Sequence, residues 1–231
     1  MATFTSYTNI LPDPTNPIGS AGQALATASG GTAGSGFKSV SFTSNAPIMR
    51  DRTNSGRLIT RAQIYHKWEI KVGYNPMTQT EFDIVNSFLI SRQGTLKPFF
   101  LSLPQYGSVT NLATSEAGSA GATKITTSTN SSPAIGSIFT ITDSSNSNHT
   151  KAYMVTAVET ASAHNTVEGA ITGNSRRLHF TPGLQKPVSS GSTLEFNNPL
   201  LKVIMKGDKT SYSLDSNNLY NLSLGMEEVT T

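Results

Sequence analysis

The sequence contains no cysteine, which excludes a disulfide framework, a thiolate metal site and a cysteine nucleophile. Charged residues are also scarce, at 13% of the chain, about half of the roughly 25% that is usual. No apolar run approaches the ~20 residues that a membrane-spanning helix needs. The first residues lack the basic and apolar regions of a secretory signal. These absences predict a soluble protein or a component of a soluble assembly.

The charge pattern and the motifs exclude several classes of function. The net charge is +3, and the pI near 9.1 reflects few acids rather than many bases. No long run of Lys or Arg occurs, so specific nucleic-acid binding is not predicted. The four histidines are widely spaced and match no metal-ligand motif. Because nucleotide-binding and hydrolase motifs are also absent, we expect no catalytic, cofactor or metal site and a protein that is not an enzyme.

The residues that are present predict a mainly β fold. Short runs of β-branched and aromatic residues are separated by Gly, Ser and Asn, which is typical of a β-sandwich or a split barrel. One helix is predicted over residues 78–92, because Thr78 and Glu81 have the spacing of a capping box. Gly94 is placed to end this helix. Its apolar face consists of Phe82, Val85, Phe88 and Leu89.

The chain is expected to have three parts. Residues 1–36 form a Gly- and Ser-rich arm, which is either a flexible terminus or a segment that orders on a neighbouring subunit. Residues 37–106 and 198–231 form a discontinuous β host domain that contains the helix. Residues 107–197 carry five short strand patterns and are expected to be an inserted, small β-barrel-like module.

Two further expectations concern the host domain. The predicted core positions of its strands are Ile64, Trp68, Ile70 and Val72, whereas Glu227 and Glu228 are expected to be solvated at the end of a strand. The segment NAPIMRDRTNSG is predicted to be a loop or an irregular strand.

The densest basic group of the sequence lies in and after that segment. It consists of Arg50, Arg52, Arg57 and Arg61. One interpretation is a solvated loop. The other is a set of inter-subunit ion pairs or phosphate contacts, because the guanidinium group suits planar, bidentate pairing.

The order of elements in RAQIYHKWEIKVGYNPMTQTEFDIVNSFLISRQGTLKPFFLSLP resembles the core of the minor tail and distal tail (baseplate-ring) proteins of tailed bacteriophages. The residues that carry this resemblance are Trp68, Ile70, Thr78, Glu81, Phe88, Leu89, Gly94, Phe99, Phe100 and Pro104. The segments SPAIGSIFTIT, KAYMVTAVE and LHFTPGLQKPVSSGSTLEFNNP resemble the β module of such proteins, although Ser137 stands where Asp is common. The resemblance covers residues 57–229.

The resemblance implies a structural protein of the tail tip or baseplate of a virion. Six copies would form a ring around the tail axis and contact the tube, the hub and the fibres, with no membrane or cofactor involved. Assembly would take place in the host cytoplasm. In such proteins one helix packs against the sheet of a β-sandwich or split barrel, and residues 78–92 would have that place.

Another class of function remains open, namely a virion module that binds a host-surface polysaccharide. Such binding would need an aromatic platform on the insert. Its aromatic residues are Tyr106, Phe139, Tyr153, Phe180 and Phe196, and most of them occupy strand-like positions where a core is expected. A hydrolase has no motif in its favour.

Overall fold

The computed structural model describes residues 10–12, 37–62, 65–102, 110–146, 149–197 and 199–229. The chain divides into two compact units, residues 1–100 with 203–229 and residues 101–202 with 230–231. The predicted mainly β fold is confirmed, since antiparallel strands supply most of the regular structure. That residues 107–197 fold as an independent inserted module stays a prediction.

The first unit is built on a six-stranded sheet. Its strands are β1 (Phe37–Asn45), β4 (Lys67–Tyr74), β5 (Phe99–Ser102), β12 (Leu200–Met205), β13 (Tyr212–Leu214) and β14 (Tyr220–Glu228). They follow the order β1-β4-β14-β12-β5, and β13 pairs with β14. A separate hairpin is formed by β2 (Ile48–Arg52) and β3 (Leu58–Ala62). The strand β2 corrects the prediction of a loop or irregular strand in this segment.

The core of this sheet follows from the period of two along each strand. In β4, Trp68, Ile70 and Val72 are buried as predicted. The antiparallel partner β14 places Met226 opposite Ile70 and Leu224 opposite Val72, and both are buried. The buried apolar side chains of the neighbouring strands β4 and β14 therefore pack side by side in one layer. Ile64 lies outside the described residues.

The predicted helix is confirmed as α1 (Gln79–Arg92), with Thr78 as its N-cap. Glu81 Oε2 accepts hydrogen bonds of 2.9 Å from both the backbone N–H and the hydroxyl of Thr78. At the other end, Gln93 enters the left-handed region (φ 56°) one residue before Gly94 (φ 62°). Gly94 is therefore the second left-handed residue after the helix rather than the first. Among the described helices, none is long and apolar enough to cross a membrane.

The apolar face of α1 packs within the first unit. The four residues predicted for this face are all buried. The ring of Phe88 meets Phe99 of β5 edge-on, with the centroids 5.5 Å apart. The guanidinium of Arg92 lies 4.9 Å from the centroid of the Phe88 ring, a distance at which a cation–π interaction forms. Burial lowers the pKa of Arg92, although the group stays charged at neutral pH.

Residues 10–12 lie in the predicted arm but pack on the first unit of their own chain. Ile10 forms a parallel bridge with Phe100, and the Leu11 N–H donates a 2.7 Å hydrogen bond to the Phe100 carbonyl. The Tyr74 hydroxyl donates a bond of 2.7 Å to the Pro12 carbonyl. Because Ile10 and Leu11 are buried, this part of the arm belongs to the fold. The rest of the arm lies outside the described residues.

The prediction that Glu227 and Glu228 are solvated is wrong. Glu228 is buried, and its Oε2 accepts a 3.2 Å hydrogen bond from the backbone N–H of Trp68. Glu227 forms a 2.7 Å ion pair with Lys67. The hydrogen bond to Glu227 raises the pKa of Lys67, although desolvation opposes it. Both carboxylates therefore join β14 to β4 instead of ending a strand in solvent.

The described part of the second unit contains the six strands β6 (Leu112–Ala113), β7 (Lys124–Thr127), β8 (Ile138–Thr142), β9 (Tyr153–Glu159), β10 (Arg176–Thr181) and β11 (Thr193–Glu195). They follow the order β6-β11-β8-β9-β10-β7 in one sheet. An isolated bridge between Thr114 and Thr127 joins the first and last of them. The sheet thus curls around an apolar core without the continuous ladder of a closed barrel. The five predicted strands are present, and β6 is an addition.

A buried polar pair lies beside this core. His149 is only 6% exposed, and its Nε2 is 2.6 Å from the hydroxyl of Tyr153. That hydroxyl also accepts a 3.0 Å hydrogen bond from the N–H of Gln185. Burial and the nearby positive charge of Lys186 lower the pKa of His149 to about 4, against a smaller opposing effect of Asp143. The imidazole is therefore neutral at pH 7.

Candidate assembly surface

The β2–β3 hairpin of the first unit is exposed along both of its strands. Its strands pair from Ile48 with Ala62 to Arg52 with Leu58. The loop closes through hydrogen bonds from the Thr53 N–H to the Arg57 carbonyl (3.0 Å) and from the Gly56 N–H to the Thr53 carbonyl (2.8 Å). Gly56 has φ 81°, a conformation that favours glycine. Local hydrogen bonds and the conformation of Gly56 thus define the turn, although the described side chains of the hairpin's strands are not buried in a core.

The hairpin exposes large apolar side chains as well as charge. Every residue of β2 is exposed. The apolar side chains are 49–60% exposed and belong to Ile48, Met49, Leu58 and Ile59. An isolated two-stranded hairpin is at best marginally stable in water, and exposed clusters of large apolar residues mark interaction sites. This surface has the composition of a docking element.

The pairing register divides the four predicted arginines between the two faces of the hairpin. Residues directly opposite in an antiparallel pair share a face, and alternate residues along a strand share it too. Arg50 and Arg52 therefore lie on one face with Ile48 and Leu58. The other face carries Met49, Asp51, Ile59 and Arg61. The remaining arginine, Arg57, is in the turn, so the four do not form one cluster.

The arginines lack a carboxylate partner among the described residues. None of the ion pairs found there includes Arg50, Arg52, Arg57 or Arg61. Four arginines and Asp51 give residues 48–62 a charge of +3, which equals the net charge of the whole chain. Unlike a solvated loop, this hairpin combines unpaired cations with exposed apolar area. The arginines were predicted from the sequence, whereas the exposed apolar residues beside them were not.

The second unit contains the only described group of side chains close enough to hold a metal ion. Ligand atoms of Glu159, Glu168 and His179 lie within 4.8 Å of one another. His179 Nε2 is 2.6 Å from Glu159 Oε1, and Arg177 Nη1 donates a 3.0 Å hydrogen bond to Glu159 Oε2. Lys124 pairs with Glu168 at 3.1 Å. Since these cations already balance the carboxylates, the group is an ion-pair network between strands.

This ion-pair network explains the lowered pKa of Glu159, the carboxylate at its centre. Although burial favours the neutral form, hydrogen bonds from His179 and from the Asn165 N–H hold the pKa of Glu159 below its ordinary value. Arg177 also donates to the carbonyls of Glu168 and Gly169 at 3.2 and 3.1 Å. The charged groups therefore fasten the loop before β10 to the sheet.

The histidines occupy structural positions. His66 lies 2.8 Å from the hydroxyl of Ser44 and meets the Trp68 ring edge-on. His164 is 3.0 Å from the Ala161 carbonyl. Among the described residues no histidine lies between a serine and a carboxylate in the manner of a hydrolase.

The described aromatic residues of the second unit are in its core. Phe139, Tyr153, Phe180 and Phe196 are buried and pack on one another with centroids 5.0–5.6 Å apart. Tyr106 lies outside the described residues. The described part of this unit therefore offers no aromatic platform of the kind that polysaccharide binding would need.

Comparison with known proteins shows similarity to a phage tail protein. Residues 27–106 match the family described as distal tail protein pb9, A domain, N-terminal. Over 206 residues the chain is 26% identical to distal tail protein pb9 of Escherichia phage T5. This alignment covers 84% of this chain and 93% of that protein. The family match includes the β2–β3 hairpin and α1. The second match is long enough to include residues of both units.

Proposed function

We propose that the chain forms a ring that joins the tail tube to the hub and to peripheral fibres, because it is similar to distal tail protein pb9 of Escherichia phage T5 over most of its length. This similarity supports a structural role in the phage tail. The ring consists of six copies around the tail axis, and its subunits are assembled into the virion tail in the host cytoplasm. The role is geometric and needs no catalytic centre.

The exposed hairpin is the observation that carries this proposal. A closed ring of identical subunits uses a head-to-tail interface, in which one surface meets a different surface of the next copy. The β2–β3 hairpin is suited to be one of these surfaces because it is exposed on both faces and has apolar and cationic groups together. Arg50, Arg52, Arg57 and Arg61 would form inter-subunit contacts.

The low charge of the chain supports a role in assembly. Stable protein interfaces bury ~1,200 Å² or more in total, and desolvation of charged groups opposes such burial. A chain with 13% charged residues has much surface that can be buried without this penalty. Apolar and backbone contacts would therefore supply most of the interface energy, with the arginines of the hairpin as the exception.

Imaging of intact particles by electron cryo-microscopy tests the proposal. The expected result is density for this chain in symmetric copies at the distal end of the tail, between the tube and the hub. Antibody labelling of the same particles provides an independent control for identity. Density confined to the capsid shell, or particles that lack the protein altogether, would contradict the proposal.

A further inference from the structure

The hairpin and a second exposed surface lie at opposite ends of the same strands. β1 and β4 pair from Phe37 with Tyr74 to Asn45 with Lys67, and the hairpin is inserted in their connection at the Asn45 end. β14 runs antiparallel to β4 and reaches the other end at its first residue, Tyr220. Because β4 has eight residues, the two ends are about 25 Å apart.

The surface at the Tyr220 end is exposed, partly aromatic and acidic. The ring of Phe82 in the first turn of α1 stacks on Tyr220 at 4.3 Å and lies 4.7 Å from Tyr212. These contacts hold the start of α1 beside β13, where Tyr212 and Leu214 are 55% and 51% exposed. We call this surface the acidic aromatic patch. It consists of the exposed residues Asp83, Tyr212 and Leu214 and the half-buried residues Glu81 and Asp215.

The charges of the two surfaces are opposite. The patch contains the carboxylates of Glu81, Asp83 and Asp215, none of which is in a salt bridge among the described residues. Lys38 lines the groove beside Tyr212 and offsets one of the three negative charges. The net charge of the patch and this lysine is thus −2, whereas the net charge of the hairpin is +3. Complementary charge of this kind selects the partner and the register of an interface.

The apolar groups are complementary as well. Arg50 and Arg52 share their face of the hairpin with Ile48 and Leu58. Tyrosine rings accept guanidinium groups on their faces, and the leucine adds apolar area. Since exposed ion pairs alone contribute little, this apolar contact would supply most of the affinity. In addition, β13 pairs only with β14 among the described strands, which leaves its other edge open to an added strand.

We propose that the β2–β3 hairpin of one copy docks on the acidic aromatic patch of the next copy. This inference rests on the proposed ring and names the surface that receives the hairpin. Two different surfaces at opposite ends of one sheet satisfy the head-to-tail requirement of a cyclic assembly. A symmetric hairpin-to-hairpin contact would instead bring two charges of +3 together.

Charge reversal tests the docking. One variant carries Arg50→Glu and Arg52→Glu, and another carries Asp83→Arg and Leu214→Arg. Each is expected to weaken self-association by about a hundredfold, because like charges then face one another. Both changes combined in one chain restore the charge match and are expected to recover assembly. A matched control, Lys71→Glu with Lys97→Glu, has the same net charge change as the hairpin variant and should assemble normally.

The measurements are analytical ultracentrifugation, electron microscopy of the purified chains, and incorporation into particles. Circular dichroism identifies any variant that fails to fold. Recovery in the combined chain cannot arise from misfolding, so it would support the pairing directly. A combined chain as defective as its parents, or patch variants that assemble like wild type, would overturn it.

Cross-linking provides a second test that does not depend on charge. Because the chain has no cysteine, two single cysteines can be introduced without background. Thr60→Cys with Leu214→Cys, which places the second thiol in the patch itself, is expected to give an intermolecular ladder with a short bis-maleimide, both for purified rings and in virions. Thr60→Cys with Leu96→Cys places the second thiol beyond the far end of α1 and is expected to give none. Equal ladders from both pairs would refute the docking.

The tests distinguish the two proposals. If wild-type particles contain the ring but the patch variants assemble normally, the hairpin docks elsewhere and the proposed function stands. If the protein is absent from the tail of wild-type particles, the proposed function fails, whatever the cross-linking pattern of the purified chain.

Discussion

Acidification from pH 7 to pH 4 is expected to destabilise the second unit through His149. The imidazole is neutral and buried in the folded chain, where Lys186 is the nearby cation and Asp143 the nearby anion. In the unfolded chain its pKa returns to about 6.5. Between pH 6.5 and pH 4 the unfolded state therefore binds a proton that the folded state does not bind. By linkage, the free energy of unfolding falls as the pH falls through this window.

The magnitude follows from the pKa shift. The pKa of His149 is lowered from 6.5 to about 4, and each unit corresponds to about 1.36 kcal/mol. The full loss is about 3.4 kcal/mol, of which about 2 kcal/mol is already lost at pH 5. Folded domains are stable by about 5–15 kcal/mol, so a loss of this size is a large fraction of the total. Hydrogen-bonded carboxylates such as Glu159 add their own losses at still lower pH.

Urea unfolding at pH 7, 6, 5 and 4.5, followed by far-UV circular dichroism, measures this dependence. His149→Gln keeps a polar group of similar length but cannot titrate, so its stability should change less across the window than that of wild type. His164→Gln is the matched control for the removal of an imidazole from the same unit. The histidine proton resonances provide a direct check. A His149 midpoint near pH 6.5, or an unchanged pH dependence in His149→Gln, would refute the reasoning.

Three further predictions concern folding. Phe88→Ala is expected to destabilise the protein by ~3–5 kcal/mol in urea unfolding, because the ring is buried on α1 against the sheet; no measurable loss would mean that this face lacks a core. Leu11→Ala is expected to cost ~2–5 kcal/mol in the same measurement, because Leu11 is buried. A melting temperature equal to that of wild type would show that the segment does not pack. A chain in which a short Gly/Ser linker joins Tyr106 to Asn198 should keep the strand signal and α1 in circular dichroism, and an insoluble product, with the excised module also unfolded, would argue against a separable insert.

The helix could be predicted from sequence because all of its signals are local. Thr78 and Glu81 are three residues apart, and the apolar face repeats within the same helix. Strands with buried faces were predicted for a similar reason, since alternation of apolar residues along one strand records the burial of one face. In the second unit five of the six described strands were predicted, whereas β6 has only two residues and is too short to show a pattern.

The missed features depend on residues that are distant in the chain. Glu228 lies at the end of the last strand, and its position in the sequence therefore predicts a solvated side chain. In the structure its partner is the backbone N–H of Trp68, which is 160 positions away in the chain. β2 has no buried face, so its residues IMRDR show no alternation that a sequence pattern can detect. The acidic aromatic patch combines the start of α1 with β13, two segments separated by the whole second unit. No local pattern could bring them together.

The sheet order has a consequence for synthesis on the ribosome. β4 pairs with β1 on one side and with β14 on the other, but β14 emerges only after residues 101–202 have been made. Until then β4 presents an open, apolar edge, which is prone to aggregation. The strands of the second unit need no partner from the first unit's sheet. The second unit can therefore complete its fold first. The first unit begins earlier in the chain but cannot complete its sheet until its central strand β14 has been made.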